Sequence, residues 1–264
     1  MLPRAAVSLY GHPMAERIWT AALIVIGDEI LSGRTQDRNI AQVGLWLNLQ
    51  GIRLAEVRVV PDRMESIGAA VTLLAGAHDY LFTTGGIGPT HDDITVDAIA
   101  AALGLPVIVH PQGRALLEHY YADRGGLTEA RLRMARAPEG ASLIINAASG
   151  APGIRIGNIF ILAGVPSIAG AMLESLTGRL EGGRPLVSLT IGCWVQESEI
   201  ADLLADVERR HEGCQIGSYP FFREGRTGAN FVIRSVDQPR LDACGADLAT
   251  ALTTMGYGPV AGGI

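Results

Sequence analysis

Cysteine is scarce and unpaired: Cys193, Cys214 and Cys244 are the only three in 264 residues, with no Cys-x-x-Cys and no zinc spacing. That excludes a disulfide framework and suits a reduced, cytoplasmic setting. Long apolar runs are also missing, and none reaches the roughly 18 residues that a membrane span needs. Residues 1–17 are interrupted by Ser8, Tyr10, Gly11, His12 and Pro13, too polar for a signal peptide. Residues 1–18 are therefore expected to form a loose extension, with Met14 as an alternative start. Basic charge is in deficit, 21 Lys plus Arg against 27 Asp plus Glu, for a net charge of −6. Such a balance argues against a nucleic-acid groove, which shows a basic patch. Neither Gly-x-Gly-x-x-Gly nor the Gly-Lys-Ser/Thr of a P-loop occurs. What is abundant is apolar: 48% hydrophobic against 18% charged residues excludes a disordered chain and suffices for one large domain with a smaller companion.

The most informative stretch runs from Leu81 to Asp97. An apolar strand end passes into Thr84-Gly85-Gly86-Ile87-Gly88-Pro89-Thr90, then His91-Asp92-Asp93, and on to Thr95. Ile94, Ala98, Ile99, Ala102 and Leu103 recur at helical spacing, so a helix opens just after the loop. Strand, glycine turn and helix start together make an anion site, because unpaired N–H groups and the helix dipole face the ligand. Backbone donors of this kind bind phosphate without a basic surface. Asp92 and Asp93 could equally serve as helix N-caps, and Asp97 as a solvated face residue. His91, a single loop histidine, could be a base or incidental.

The remaining pattern predicts an α/β domain. Residues 21–26 read as a strand buried on both faces, followed by a loop carrying Gly27, Asp28, Glu29 and Gly33, then Asp37 and Asn39. Asn39 near the helix start is either a local hydrogen-bonder or a ligand contact. A helix over 40–50, a strand over 54–60 stopped by Pro61-Asp62, a helix over 64–75 and a strand over 80–84 complete a β-α-β-α-β unit. Such units make parallel sheets that bind ligands beyond their carboxyl ends, and Gly27 to Glu29, Asp62 and the glycine loop all lie on that edge. Beyond them, short strands are predicted near 106–109, 142–146 and 158–163, with helices over 111–122, 128–135 and up to about 176. The basic stretch with Arg131, Arg133 and Arg136 is a solvated face or a phosphate-facing lid. Clustered glycines and Pro185 between 177 and 185 mark a boundary, giving one domain over 19–180 and a small α+β companion over 185–264.

These motifs are similar to the MoaB/Mog-type molybdopterin-binding family, most closely to the N-terminal region of CinA proteins. The resemblance rests on Gly27 to Gly33 with Asp37 and Asn39, on Asp62, on Thr84 to Asp93, on Ala151-Pro152-Gly153 and on Gly164-Val165-Pro166. In the companion, Ile216-Gly217-Ser218-Tyr219-Pro220 adds to it. It implies a three-layer parallel-sheet domain and a homo-oligomer. It implies catalytic roles for Asp93 and Asp62, and ligand contacts from Thr84, Gly85, Gly86, Gly88, Thr90, Thr95, Gly27, Asp28, Glu29, Gly33 and Asn39. A divalent metal would fall to Asp28, Glu29 and Asp93, with Asp62 a further candidate. One departure stands out: CinA-like chains place a glutamate two residues after Gly-Val-Pro, where this chain has Ile168. The amidase domain of fused CinA proteins is not expected here.

Three functions fit. The first is metal-assisted hydrolysis of a nucleoside-diphosphate compound such as ADP-ribose, since phosphoanhydride cleavage needs donors on the phosphates and carboxylates to hold a metal or water. The second is molybdopterin binding or transfer in cofactor assembly, and the third a binding or regulatory module without turnover, which the missing glutamate favours. The expected partner is a small phosphorylated ligand, with no nucleic acid and no membrane.

Overall fold

The computed structural model describes residues 17–264, so the expectation of a loose N-terminal extension lies, for residues 1–16, outside the described residues. Contacts divide the chain into two units, one ending at Gly183 and the other beginning at Arg184.

The first unit begins with β1 (Trp19–Ile26), α1 (Asp28–Leu31), α2 (Asn39–Leu49), β2 (Ile52–Val60), α3 (Met64–Ala77), β3 (Tyr80–Thr84) and α4 (Thr95–Leu103). Next come β4 (Val107–Val109), α5 (Pro111–Tyr121), α6 (Glu129–Leu132), a 3-10 turn over Arg133–Ala135 and β5 (Arg136–Pro138). It closes with β6 (Ser142–Ile144), β7 (Gly153–Ile156), β8 (Ile159–Leu162) and α7 (Pro166–Leu176). The main sheet has the order β2-β1-β3-β8-β7-β6, parallel from β2 to β8 and antiparallel over its last two strands. A small ribbon pairs β4 with β5.

Side-chain alternation explains the three layers. From β1, Ala21, Leu23 and Val25 join Val43, Leu47, Met172 and Leu173 of α2 and α7 on one face. Ala22, Ile24 and Ile26 join Ile67, Val71 and Leu74 of α3, with Val96 and Ile99 of α4, on the other. Residues 21–26 of β1 are all buried, as a central parallel strand requires, whereas β2 alternates because it is an edge.

The second unit comprises β9 (Val187–Cys193), α8 (Glu197–Arg210), β10 (Gln215–Arg223), β11 (Arg226–Ser235), α9 (Gln238–Thr254) and β12 (Val260–Ala261). Its antiparallel sheet, in the order β10-β11-β9-β12, packs Ile191, Phe231 and Ile233 against Ile200 and Val207 of α8 and Leu241, Leu248 and Leu252 of α9. All three cysteines are buried here, and burial with the neighbouring Cys214 thiol pushes Cys244 up to about 12, a poor nucleophile.

Four details differ from the sequence expectation. The turn after β1 starts as the single-turn α1 rather than an open loop. β5 and β7 were not anticipated; each is three or four residues long and contains a proline or a glycine, which masks strand propensity. The basic helix expected over 128–135 breaks after Leu132 into a 3-10 turn, and Arg136 stands on β5. Finally, α4 begins at Thr95 with Ile94 at its N-cap and no side-chain cap, so neither Asp92 nor Asp93 caps it.

Candidate functional site

The connections from two neighbouring parallel strands lead to opposite sides, from β1 to β2 on one side and, by way of α4 and the following segments, from β3 to β8 on the other. A crevice opens where the strand order reverses in this way. The turn after β3 hugs the end of β1. Gly85 has φ 103° and Gly86 φ 65°, left-handed conformations that favour glycine. A Cβ on Gly85 would strike the Ile26 carbonyl oxygen, and one on Gly86 the Thr95 hydroxyl. Buried Thr95 holds this turn, donating its hydroxyl to the Gly85 carbonyl at 2.9 Å and its amide to the Gly86 carbonyl at 3.0 Å. The Gly85 amide is spent on the Leu162 carbonyl at 3.2 Å. The amides of Gly86, Ile87 and Gly88 have no acceptor among the described residues. Three consecutive free donors in a concave turn are what an anion site requires.

The carboxylates are placed by backbone bonds. Asp62, just after β2, accepts the Asp28 amide at 2.9 Å through Oδ2, which ties the turn after β2 to the start of α1. Burial pushes the Asp62 carboxyl above its ordinary value; the Asp28 amide opposes this, and the negative charges of Asp28, Glu29 and Asp92 add to it. Asp93 accepts the Thr90 amide at 2.8 Å and the Thr90 hydroxyl at 2.6 Å, both through Oδ2, and so shapes the loop that carries it. Among the described residues, Oδ1 of each aspartate is left without a partner.

These groups border one cavity of about 590 Å³. Of the residues singled out in the sequence, Gly27, Glu29, Asp62, Gly85, Gly86, Gly88 and Asp93 line it, joined by Asp92. Thr84, Asp28, Gly33, Asn39, Thr90 and Thr95 do not. Thr84 is buried within β3, Gly33 turns in the open, and Asp28 contributes its amide to Asp62. Asn39 is buried and donates Nδ2 to the Gly164 carbonyl at 2.8 Å, which braces the turn before α7 rather than reaching a ligand. Thr90 and Thr95 act on the loop from within. Nor is Asp97 a solvated residue: its carboxylate takes two bonds from the Arg136 guanidinium, clasping α4 to β5.

The cavity also has an apolar lining from Ile26, Ile87, Met134, Val165, Ile168 and Met172, with Ser149 and Ala151. The Ala151-Pro152-Gly153 and Gly164-Val165-Pro166 turns were legible as motifs, and both reach the cavity. Met134, Ser149 and Met172 left no signal. Ile168, at the position where the resemblance implies a glutamate, lines the cavity and brings no carboxylate to it.

Among the described residues no three His, Cys, Asp or Glu side chains are grouped closely enough to hold a metal unaided. The acids present fit the other common arrangement, in which one or two carboxylates share an ion such as Mg²⁺ with the phosphates of a ligand. Glu29 and Asp62 line the same cavity, where burial, and then the negative charges of Asp28, Glu29 and Asp92, raise the proton affinity of Asp62.

Comparison with known proteins gives the family. The family model "Probable molybdopterin binding domain" matches residues 22–182, and "FAD synthase, middle domain" matches residues 185–258. A protein of Aeropyrum pernix is 36% identical over 220 residues, 79% of this chain and 80% of its own. A CinA-like protein of Citrifermentans bemidjiense is 38% identical over 194 residues, 69% of this chain and 46% of its own, so the match spans less than half of that relative. Among solved structures, the CinA protein of Thermoplasma acidophilum is 32% identical, with a TM-score of 0.57 over 61% of this chain and 98% of that one. With a model spanning well over half its length and relatives matched at this level, the chain belongs to the molybdopterin-binding domain family, in its CinA-like branch.

Proposed function

We propose that this chain is a metal-assisted hydrolase of a nucleoside-diphosphate compound such as ADP-ribose. The observation that supports it is that one cavity combines free amides at Gly86 to Gly88, carboxylates at Glu29, Asp62, Asp92 and Asp93, and apolar side chains including Ile26, Val165 and Met172. A volume of about 590 Å³ is in the range of sites that enclose a nucleotide-sized ligand. On this proposal the diphosphate lies on the amides and the ring lies against Ile87, Val165 and Met172.

A divalent ion held by Glu29 together with the ligand phosphates would supply charge neutralisation in a cavity rich in carboxylates. The chain's own residues do the rest. Asp62, whose raised proton affinity suits a general base, takes the proton of a water at Oδ1 while Oδ2 stays on the Asp28 amide. The water oxygen forms a bond to phosphorus, the bridging P–O bond breaks, and the leaving phosphate departs as an anion. Asp93 orients that water through its own Oδ1. The amides hold the non-bridging oxygens as charge builds on them.

The test is product analysis by ³¹P NMR with ADP-ribose, FAD and NAD, each with Mg²⁺, with Mn²⁺ and with EDTA. AMP and ribose 5-phosphate should form from ADP-ribose only with metal. Tight binding without products would instead support a regulatory module, the reading that Ile168 favours. Neither binding nor products would overturn the proposal.

A further inference from the structure

The cavity has acids but lacks an obvious cation. The chain contains no lysine, so all 21 of its Lys-plus-Arg residues are arginine, and any permanently charged side chain that meets a ligand must be one of them. Between residues 120 and 140, most arginines are already engaged. Arg124 bonds the Tyr120 carbonyl, Arg131 bonds the Arg124 and Gly126 carbonyls and lies over the Tyr121 ring, and Arg136 is paired with Asp97.

Arg133, on the 3-10 turn before β5, is different. Its side chain has no hydrogen bond or ion pair among the described residues, and its Nε is buried without a partner. Arginine keeps its charge under all ordinary conditions, and an unmet buried donor is costly, so such a group calls for an acceptor that arrives from outside. It lines a nook of about 10 Å³ beside the main cavity, shared with Gly86, Gly88, Asp93 and Arg136, whose guanidinium is already engaged by Asp97. That volume admits one water-sized group, which is the size of a single phosphate oxygen.

We propose that Arg133 is the residue that grips the ligand phosphate, taking one of its oxygens in this nook while the amides of Gly86 to Gly88 hold the others. It offsets the repulsion between the phosphate and the Asp93 carboxylate, and so selects anionic phosphoryl ligands over uncharged ring compounds. The inference rests on the glycine turn being the phosphate site, but not on hydrolysis.

Calorimetric titration of the whole chain with inorganic pyrophosphate and with ADP-ribose tests it. Arg133→Gln should weaken both by about 30-fold, the scale of one charge-assisted hydrogen bond, and flatten the salt dependence of affinity. Arg133→Lys should recover most of the loss. Arg131→Gln, which disturbs only a nearby loop, should bind as the parent does. If Arg133→Gln melts early, Arg133→Met keeps the buried stem and should show the same loss. Weakened pyrophosphate binding with ADP-ribose left uncleaved by the parent would sink the hydrolase reading and leave Arg133 standing. An Arg133→Gln variant with parental affinity and parental KM would overturn Arg133 and leave the hydrolase intact. Equal losses in the Arg131 and Arg133 variants, or no pyrophosphate binding by the parent, would also overturn it.

Discussion

The Asp62 carboxylate accepts the backbone amide of Asp28 at 2.9 Å, so an acid on the turn after β2 is fixed against the first residue of α1. Burial, and then the charges of Asp28, Glu29 and Asp92, raise its proton affinity, while the Asp28 amide opposes them. A carboxyl raised in the folded state stabilises the protein fully below its unfolded pKa, and that contribution is lost as pH rises through the folded value. At neutral pH the native Asp62 is therefore a net cost. Asp62→Asn, which still accepts the Asp28 amide, should melt higher than the parent at pH 7, with the gap closing near about pH 4. Turnover should fall in the same variant. A lower melting temperature at pH 7 would contradict this account of its environment.

Asp93→Asn separates charge from loop shape, because an amide oxygen still accepts from Thr90. With the negative charge gone from beside the phosphates, ADP-ribose should bind as well or better while kcat drops on the order of 100-fold. Retained turnover would show that Asp93 only folds the loop.

Ile168→Glu brings a carboxylate to the cavity lining. Mn²⁺ affinity in the presence of ADP-ribose, read by electron paramagnetic resonance, should tighten by about tenfold, the scale of one added ligand contribution. Unchanged affinity would mean that the wall at Ile168 faces the ring and not the ion.

Asp97 and Arg136 are each 28% exposed in their side chains and joined by two bonds, so this clasp is better shielded than a surface pair. Asp97→Asn should lower unfolding stability by about 1–2 kcal/mol, measured by urea denaturation. A change within error would show that the pair is screened out.

Much of the site was legible because its residues follow strands: Gly27 to Glu29, Asp62 and Gly85 to Gly88 could be placed on one sheet edge from β periodicity alone. What periodicity does not encode is which way a polar side chain turns once it is there. Asn39, Thr84 and Thr95 carry ligand-like chemistry yet are buried in the scaffold, with Asn39 on Gly164 and Thr95 on Gly85. Part of the apolar lining was invisible for a related reason. Met134 and Met172 look like core residues, and only the packing of α7 and the 3-10 turn around the crevice makes them cavity lining. Among the basic residues, charge count could not separate Arg136, committed to Asp97, from Arg133, committed to nothing.

The central claim is that the free amides of the glycine turn receive a phosphate. The most direct measurement is a ¹H–¹⁵N titration of the labelled protein with ADP-ribose, following Gly86, Ile87 and Gly88. Their amide protons should move downfield together and saturate at one dissociation constant, while Gly85, already bonded to Leu162, moves least. If these three amides stay still while the ligand binds elsewhere, the site is not where the fold places it.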